Sequence, residues 1–386
     1  MIDEFQYLFS ERDAVTRAAI LLLEDVARRG RSQGIHLVLA SQDVSGIEAF
    51  WGRPAIFEQF VLRIALPRAR RVLADLNDAT LDLPRWHAVL NHESGIRHGN
   101  EIVRIPDATA RGSVDEVQRL LHADHAAGRP EPRLFDGSRS PRFADLVDVL
   151  PRDETPRALV GQCIDVAGSA AAVGLPDAPG RNVGVLASVG REAVRVLGAA
   201  AASLAGQFPP GGLDVVVAPL VAEAAGPARR LAEQLAAAGQ TVETVPLDGL
   251  RARVEALAKD VADRLSGAAP RRPLAVVLYA ADAADTVLER DGTEAMRKLV
   301  RFGPETGVHV LGWWRSVPRL RALLMMSASV DDLGAWVALD VQGSELQPLV
   351  PGMLVNWSPR PGRGLFFDRA QHSAPEVVIV PSLEDA

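Results

Sequence analysis

The sequence predicts an α/β protein made of an incomplete structural repeat followed by a complete one. Three observations lead there. Short apolar, β-branched runs alternate with helical periodicities, as expected of βα units on a mostly parallel sheet. Two distant stretches share one pattern: "RGRSQGIHLVLASQDV" (29–44) and "FGPETGVHVLGWWRSV" (302–317) each run from a helix end through Gly, a β-branched residue, His and an apolar strand to a polar exit. The second stretch is preceded by several strand-like runs and the first by none.

In the first copy, Val15, Ala18, Ile20, Leu22, Leu23 and Val26 give residues 13–30 a helical stripe, closed by Gly30 and Gly34. "IHLVLAS" (35–41) reads as a fully buried strand and "FVLRIAL" (60–66) as another. "RWHAVLN" (85–91) and "NEIVRIP" (100–106) read as an antiparallel pair, and 113–123 as a helix. Pro, Gly, Arg and Asp dominate 124–160, which reads as a linker. The second copy offers strands at 182–188, 213–220, 241–247, 274–280, 308–314 and 334–340. Helices fit 191–206, 226–238, 248–266 and 293–302, and three short strands near 352–356, 364–368 and 376–380 close it. The expected domains are 1–123, a linker over 124–160, and 161–386.

Composition removes several function classes. No run of eighteen apolar residues offers a membrane-spanning helix. The N-terminus has no basic region followed by an apolar stretch, as a signal peptide would. Cys163 is the only cysteine, which excludes an internal disulfide or a thiolate zinc cluster and suits a reducing cytoplasm. A net charge of −7 argues against nonspecific coating of DNA, although a local basic channel stays open. His122 and His125 lie three apart on a helix without further ligands in sight, and His87, His92 and His98 sit in a hairpin; both sets read as solvated surface. No G-x-S-x-G elbow occurs. The lysines are Lys259 and Lys298 alone, and neither follows Gly or precedes Ser or Thr. The phosphate-loop pattern G-x-x-x-x-G-K-[ST] is therefore missing from the whole chain.

"IDEFQYLF", "RRGRSQGIHLVLASQ" and "FVLRIAL", at these spacings, resemble the FtsK/SpoIIIE ATPases, motors of the RecA-like P-loop NTPase class. The resemblance is clear over 1–110 and weaker over about 150–386. Tandem copies with a degenerate later one are more similar to the type VII secretion ATPases of the EccC type and to large actinobacterial proteins with FtsK domains. The resemblance implies RecA-like sheets, one N-terminally truncated and one complete but degenerate. It implies that Asp3 holds the water shell of Mg and Glu4 polarises the attacking water, although Asp-Glu alone would read as a helix cap. Ser41 and Gln42 would sense the γ-phosphate, since an amide both donates and accepts; a plain strand exit is the alternative. Arg31 would pair with an acid or contact a neighbouring subunit, or simply favour a helix C-terminus. Arg63 would act as an arginine finger on a neighbour's ATP, or snorkel from an edge strand, with Arg68, Arg70 and Arg71 as another trans-acting cluster.

In the second copy the phosphate loop falls within 187–197, where Glu192-Ala193-Val194 replaces the Gly-Lys-Ser/Thr triplet and Gly190 retains the turn. Ala280 and Ala281 replace the Asp-Glu pair, Trp314 and Arg315 the sensor, and Val337 or Ala338 the finger. The chain is thus expected to be the C-terminal part of a longer protein and not to hydrolyse ATP alone. The parent is expected to use ATP and Mg, to act as a hexameric ring or stacked array, and to reach a membrane only through other segments, in or beside the cytoplasm. Its expected work is moving a polymer, DNA by family precedent. Protein export through a type VII-like channel and a non-enzymatic partner-binding domain are the alternatives.

Overall fold

The computed structural model describes residues 1–9, 14–42, 54–107, 112, 114–126, 128–129, 134–324 and 331–383. The start of the first expected helix (residue 13), the end of the repeat motif (43–44), residue 113 of the third helical stretch, and parts of the expected linker lie outside them. The chain divides into two compact units, Met1–Glu131 and Pro132–Ala386.

The first unit contains α1 (Phe5–Leu8), α2 (Ala14–Arg29), α3 (Pro54–Phe57), β1 (Arg63–Ala65), β2 (His87–Asn91), β3 (Asn100–Arg104) and α4 (Asp115–Ala126). Phe5, Phe9, Ile20, Leu23 and Ile56 form one small core, and Ala65, Leu73, Leu83 and Val89 another. Strands β1, β2 and β3 make an antiparallel three-stranded sheet, so the expected β2–β3 pair is realised. Several expectations need correction. Of the expected buried strand 60–66 only Arg63–Ala65 is a strand, and Val61, Leu62, Ile64 and Leu66 are exposed, because β1 pairs with β2 on one side only among the described residues. Ala18, placed in the buried stripe of α2, is exposed. Residues 35–41 are extended but form only one parallel bridge, Ile2 to Leu39, and Ile35 and Val38 are exposed. Burial of such a run needs a strand on each side and helices on both faces, and among the described residues only Ile2 bridges to it, with the Phe5 N–H adding one bond to the Ala40 carbonyl. Leu22, assigned to the buried stripe of α2, is exposed as well.

The second unit holds one ten-stranded sheet. Its strands are β4 (Arg157–Cys163), β5 (Ala170–Gly174), β6 (Val183–Leu186), β7 (Asp214–Pro219), β8 (Thr241–Thr244), β9 (Leu274–Tyr279), β10 (Val308–Trp314), β11 (Ala335–Ala338), β12 (Arg363–Asp368) and β13 (Glu376–Ile379). Their spatial order is β5-β4-β13-β12-β11-β6-β10-β9-β7-β8. From β11 to β8 every pairing is parallel, and from β11 to β5 every pairing is antiparallel. The helices are α5 (Phe143–Asp148), α6 (Gly190–Ala205), α7 (Ala225–Ala237), α8 (Leu250–Leu265), α9 (Asp285–Phe302), α10 (Val317–Leu324) and α11 (Gly343–Leu346).

The continuous apolar strands follow from cover on both faces. Val183, Val185, Val215, Val217, Val277 and Trp313 point to a core shared with α6 and α7. Their alternates Leu186, Val216, Val276, Leu278 and Trp314 point to a second core shared with α8, α9 and α10. At the antiparallel side, Arg181 grips Asp368 with Nη1–Oδ1 at 2.8 Å and Nη2–Oδ2 at 2.9 Å, both side chains buried. The same guanidinium donates to the Gly174 carbonyl, which satisfies a buried cation that would otherwise be costly.

Residues 352–356 are not a strand. Gly343 donates its N–H to the Trp357 carbonyl at 3.0 Å, and a Cβ on Gly343 would meet the Val355 carbonyl at 2.3 Å. This stretch packs onto a glycine turn instead of a ladder. Within 124–160, α5 buries Leu146 against Leu159, and β4 starts at Arg157.

Candidate functional site

In the first unit the chain turns sharply after Ile2. Glu4 adopts left-handed backbone angles, φ 50° and ψ 38°, at the start of α1. A non-glycine residue there costs on the order of 1–3 kcal/mol. The turn aims the Glu4 carboxylate at the exit of the 35–41 segment. Gln42 donates from Nε2 to Glu4 Oε1 at 2.8 Å, Gln6 donates to Glu4 Oε2, and Ser41 Oγ donates to Gln6 Oε1 at 2.6 Å. Glu4, Ser41 and Gln42, singled out from sequence, thus form one hydrogen-bonded network. Gln6 is its unexpected fourth member. Asp3 is exposed, and its Oδ1 accepts the Glu4 N–H at 3.0 Å.

The arginines are placed differently. Arg63 donates from Nε to the Phe60 carbonyl at 3.1 Å, from Nη1 to Val72 at 3.1 Å and from Nη2 to Phe57 at 3.2 Å. Burial pulls its pKa below the ordinary value. A guanidinium fastened to three carbonyls of its own unit braces the turn after α3. Arg31, in the short 3-10 turn Gly30–Gln33, and Arg68, Arg70 and Arg71 are exposed and make no ion pair among the described residues.

The second unit repeats this backbone closely. The Ile2–Leu39 bridge corresponds to the Leu278–Gly312 pair of β9 and β10. Ile35 N–H bonds the Gly30 carbonyl at 2.9 Å, and Val308 N–H bonds Gly303 at 3.0 Å; Gly34 and Gly307 both end 3-10 turns with φ 72° and 78°. Ala280 repeats the left-handed turn of Glu4, with φ 55° and ψ 56°. This register corrects the expected equivalences by one position: Tyr279 and Ala280, not Ala280 and Ala281, stand for Asp3 and Glu4. Trp314 and Arg315 stand for Ser41 and Gln42 as expected. Asn91 and Asp368 each end the second antiparallel strand buried and accept the N–H two residues on. Counting from them across the β1–β2 and β11–β12 pairs makes Ala335 the counterpart of Arg63, not Val337 or Ala338.

What fills these positions is a set of internal contacts. Asp282, the counterpart of Gln6, is buried. Its Oδ1 accepts the Arg315 N–H at 3.0 Å, and its Oδ2 accepts Arg315 Nε at 2.9 Å and Arg319 Nη1 at 2.7 Å. Burial pushes this carboxyl upward, but the bonds from Arg315 and Arg319 outweigh it and hold it below the usual carboxylate value. An ion pair thus stands where the first unit has an amide network.

The strand–loop–helix turn from β6 to α6 survives. The helix begins at Gly190, so its first turn is Gly190, Arg191 and Glu192, two residues before the expected triplet. Ala193 is buried and Val194 half-buried further along α6, and Glu192 accepts the Gly362 N–H at 2.8 Å. A loop of this kind binds phosphate through backbone N–H groups at a helix start. Here Ser188 N–H donates to Asp340 Oδ1 at 2.7 Å, Val189 N–H to Asp340 Oδ2 at 2.9 Å, and Ser188 Oγ to Oδ2 at 2.5 Å. The carboxylate takes up donors that a phosphate would need. The buried Trp313 indole donates to the Ala187 carbonyl at 2.7 Å, and its ring edge lies 2.7 Å from where a Cβ on Gly190 would sit. With a carboxylate on the loop, an indole against it and a tyrosine at the acid position, these residues do not fit a bound Mg-nucleotide. The first unit's carboxylates and amides suit the water shell of Mg, without a phosphate loop among its described residues.

Sequence reading missed Gln6, Asp282, Trp313 and Asp340. Asp340 had a faint signal, since it directly follows an apolar strand as Ser41 does. Among the described residues, no group of three His, Cys, Asp or Glu is placed to hold a metal, and no helix is long and apolar enough to cross a membrane.

No family model and no curated protein matches the sequence. Solved structures do match. ATPases 2 and 3 of Thermomonospora curvata EccC, in complex with a signal sequence peptide, align with 99% of this chain and 68% of their own at 15% identity and a TM-score of 0.55. ATPases 2 and 3 of EssC from Geobacillus thermodenitrificans align with 99% of this chain and 70% of theirs at 14% identity and 0.59. The cytoplasmic domain of the T. curvata type VII secretion ATPase EccC aligns with 99% of this chain and 47% of its own at 19% identity and 0.64. The chain is therefore similar in fold, across both units, to the tandem ATPase domains of EccC and EssC.

Proposed function

We propose that this chain is a module of a type VII-like protein-export ATPase, with a first unit bearing the water-activating half of a catalytic site and a second unit that binds a partner without chemistry. The observation that carries the reading is the seating of Asp340 on the β6–α6 loop. It leaves a motor fold whose phosphate grip is self-occupied, which suits a regulatory or recognition role. The likeness to tandem ATPases of secretion systems supports export over DNA translocation.

In the longer assembly, Asp3 would order the Mg water shell, Glu4 would polarise the attacking water, and Gln42 with Ser41 would orient it. With Arg63 committed to carbonyls, Arg31 and the exposed Arg68, Arg70 and Arg71 are the candidates for contact with a neighbour in a ring or stacked array. ATP and Mg would bind there only with a phosphate loop supplied from outside these residues; this chain alone would bind neither tightly. The recognised cargo would be a signal peptide, as bound by the T. curvata protein. Fluorescence anisotropy with a labelled signal-sequence peptide and with duplex DNA tests this. The export reading expects saturable peptide binding and no DNA shift at low or moderate salt. A DNA shift that weakens steeply with salt, without peptide binding, would reverse it.

A further inference from the structure

At the opposite edge of the second unit's sheet, where the parallel strands begin, lies a cavity of about 400 Å³. That is within the size range of small-molecule sites. Its floor is apolar: Leu175, Leu204, Leu213 and Leu274 are buried around it, and the half-buried Phe208 lines it too. Two polar side chains are set deep in the wall: Thr306, whose hydroxyl donates to the Gly303 carbonyl at 2.8 Å, and His309. His309, at the start of β10, is 7% exposed. Its Nδ1 lies 2.8 Å from the Arg181 carbonyl, which can only accept, so Nδ1 carries the proton. Burial holds the imidazole pKa below its ordinary value, against the opposing pull of that bond and of Asp177. A neutral ring protonated at Nδ1 leaves Nε2 as a bare acceptor, with no hydrogen bond among the described residues. The repeat's other histidine, His36, is exposed, so this burial belongs to the second unit alone.

We propose that this cavity binds an indole or phenol group, its flat body against the leucines and Phe208 and its single N–H or O–H donated to His309 Nε2. A charged ligand would lose hydration against the floor, and a purely apolar one would leave the buried acceptor unpaired. An aromatic ring with one donor meets both demands. At the mouth, Arg271 stands 3.9 Å from Asp177 and Arg272 3.7 Å from Asp214. These loose pairs can turn toward the amides of a peptide carrying the ring, so the group has two sources: a free small molecule, or a tryptophan or tyrosine side chain. The inference does not depend on the export reading.

The test is titration of the intact chain with indole, 1-methylindole and N-acetyltryptophanamide, followed by calorimetry and ligand-observed NMR. Indole should bind at least about ten-fold more tightly than 1-methylindole, because a site built to pair a donor rejects the analogue lacking it. His309→Phe should erase that preference. Leu213→Trp, which fills the cavity and leaves His309 in the chain, should abolish binding of both. Where His309→Phe fails to fold, the methyl discrimination in the unaltered protein decides. Tighter binding of N-acetyltryptophanamide than of indole assigns the site to a peptide side chain, and weaker binding to a free molecule; either supports the proposal. Equal affinity for indole and 1-methylindole, or binding of neither, overturns it.

Discussion

Asp340 does at one residue what a nucleotide phosphate does in an active loop. Its carboxylate collects two backbone N–H groups at the start of α6, where the helix dipole also favours negative charge. Asp340→Ala should therefore cost about 0.5–2 kcal/mol, as loss of a helix cap does, read as a lower midpoint in urea unfolding. An unchanged midpoint would make the contact incidental. Asp282 carries a second consequence. Its folded pKa is depressed, so it contributes stability above the unfolded value of 3.8, and that contribution is lost as pH falls through the lower folded value. Asp282→Asn should flatten the acid limb of the stability–pH curve below about pH 4, and an identical limb in the variant would refute the ion-pair account. His309 acts in the same direction, higher on the pH scale. Its depressed pKa leaves stability intact above the unfolded value of 6.5 and erodes it as pH falls below that, because only the unfolded chain then takes the proton.

At the scale of elements, the repeat rests on two glycines per copy. Gly303 ends α9, and a Cβ there would fall 2.4 Å from the Leu299 carbonyl and 2.7 Å from the Val308 carbonyl. Gly303→Ala should lower the melting temperature by several degrees, about what 1–3 kcal/mol gives in a unit of this size. Gly267→Ala has positive φ but open space around it, and should cost less. The sequence made this repeat legible because Gly-x-x-x-Gly, a β-branched residue and His sit at fixed offsets from a strand. It did not reveal β5, whose "AAAVG" carries little strand propensity and becomes a strand through its hairpin with β4. It also overcounted 352–356, where an apolar run passes a glycine turn and Leu354 stays in solvent. Of the candidate site, Glu4, Ser41 and Gln42 were legible because strand ends were. Arg63's role was not, since its partners are backbone carbonyls that no side-chain pattern announces. Asp340's role was not either, because its loop lies about 150 residues earlier in the chain.

For the whole molecule, two units carry one backbone scheme with opposite chemistry. The first brings a carboxylate, two amides and a hydroxyl together at a strained turn. The second keeps the turn and spends its polar groups on itself. The division explains why a chain with the fold of tandem secretion ATPases holds no complete hydrolytic set among its described residues. Restoring a phosphate loop to the first unit from a separately supplied polypeptide should give ATP turnover that Glu4→Gln abolishes, while changes at Asp282 leave it untouched. Turnover sensitive to Asp282 instead would place the chemistry in the wrong unit.

The most direct test of the account is calorimetric titration of Mg-ATP into the intact chain and into its Asp340→Ala variant. The account predicts no saturable heat for the unaltered chain, and weak uptake of phosphate or nucleotide once the loop's N–H groups are released. Tight, stoichiometric, magnesium-dependent binding by the unaltered chain would contradict it.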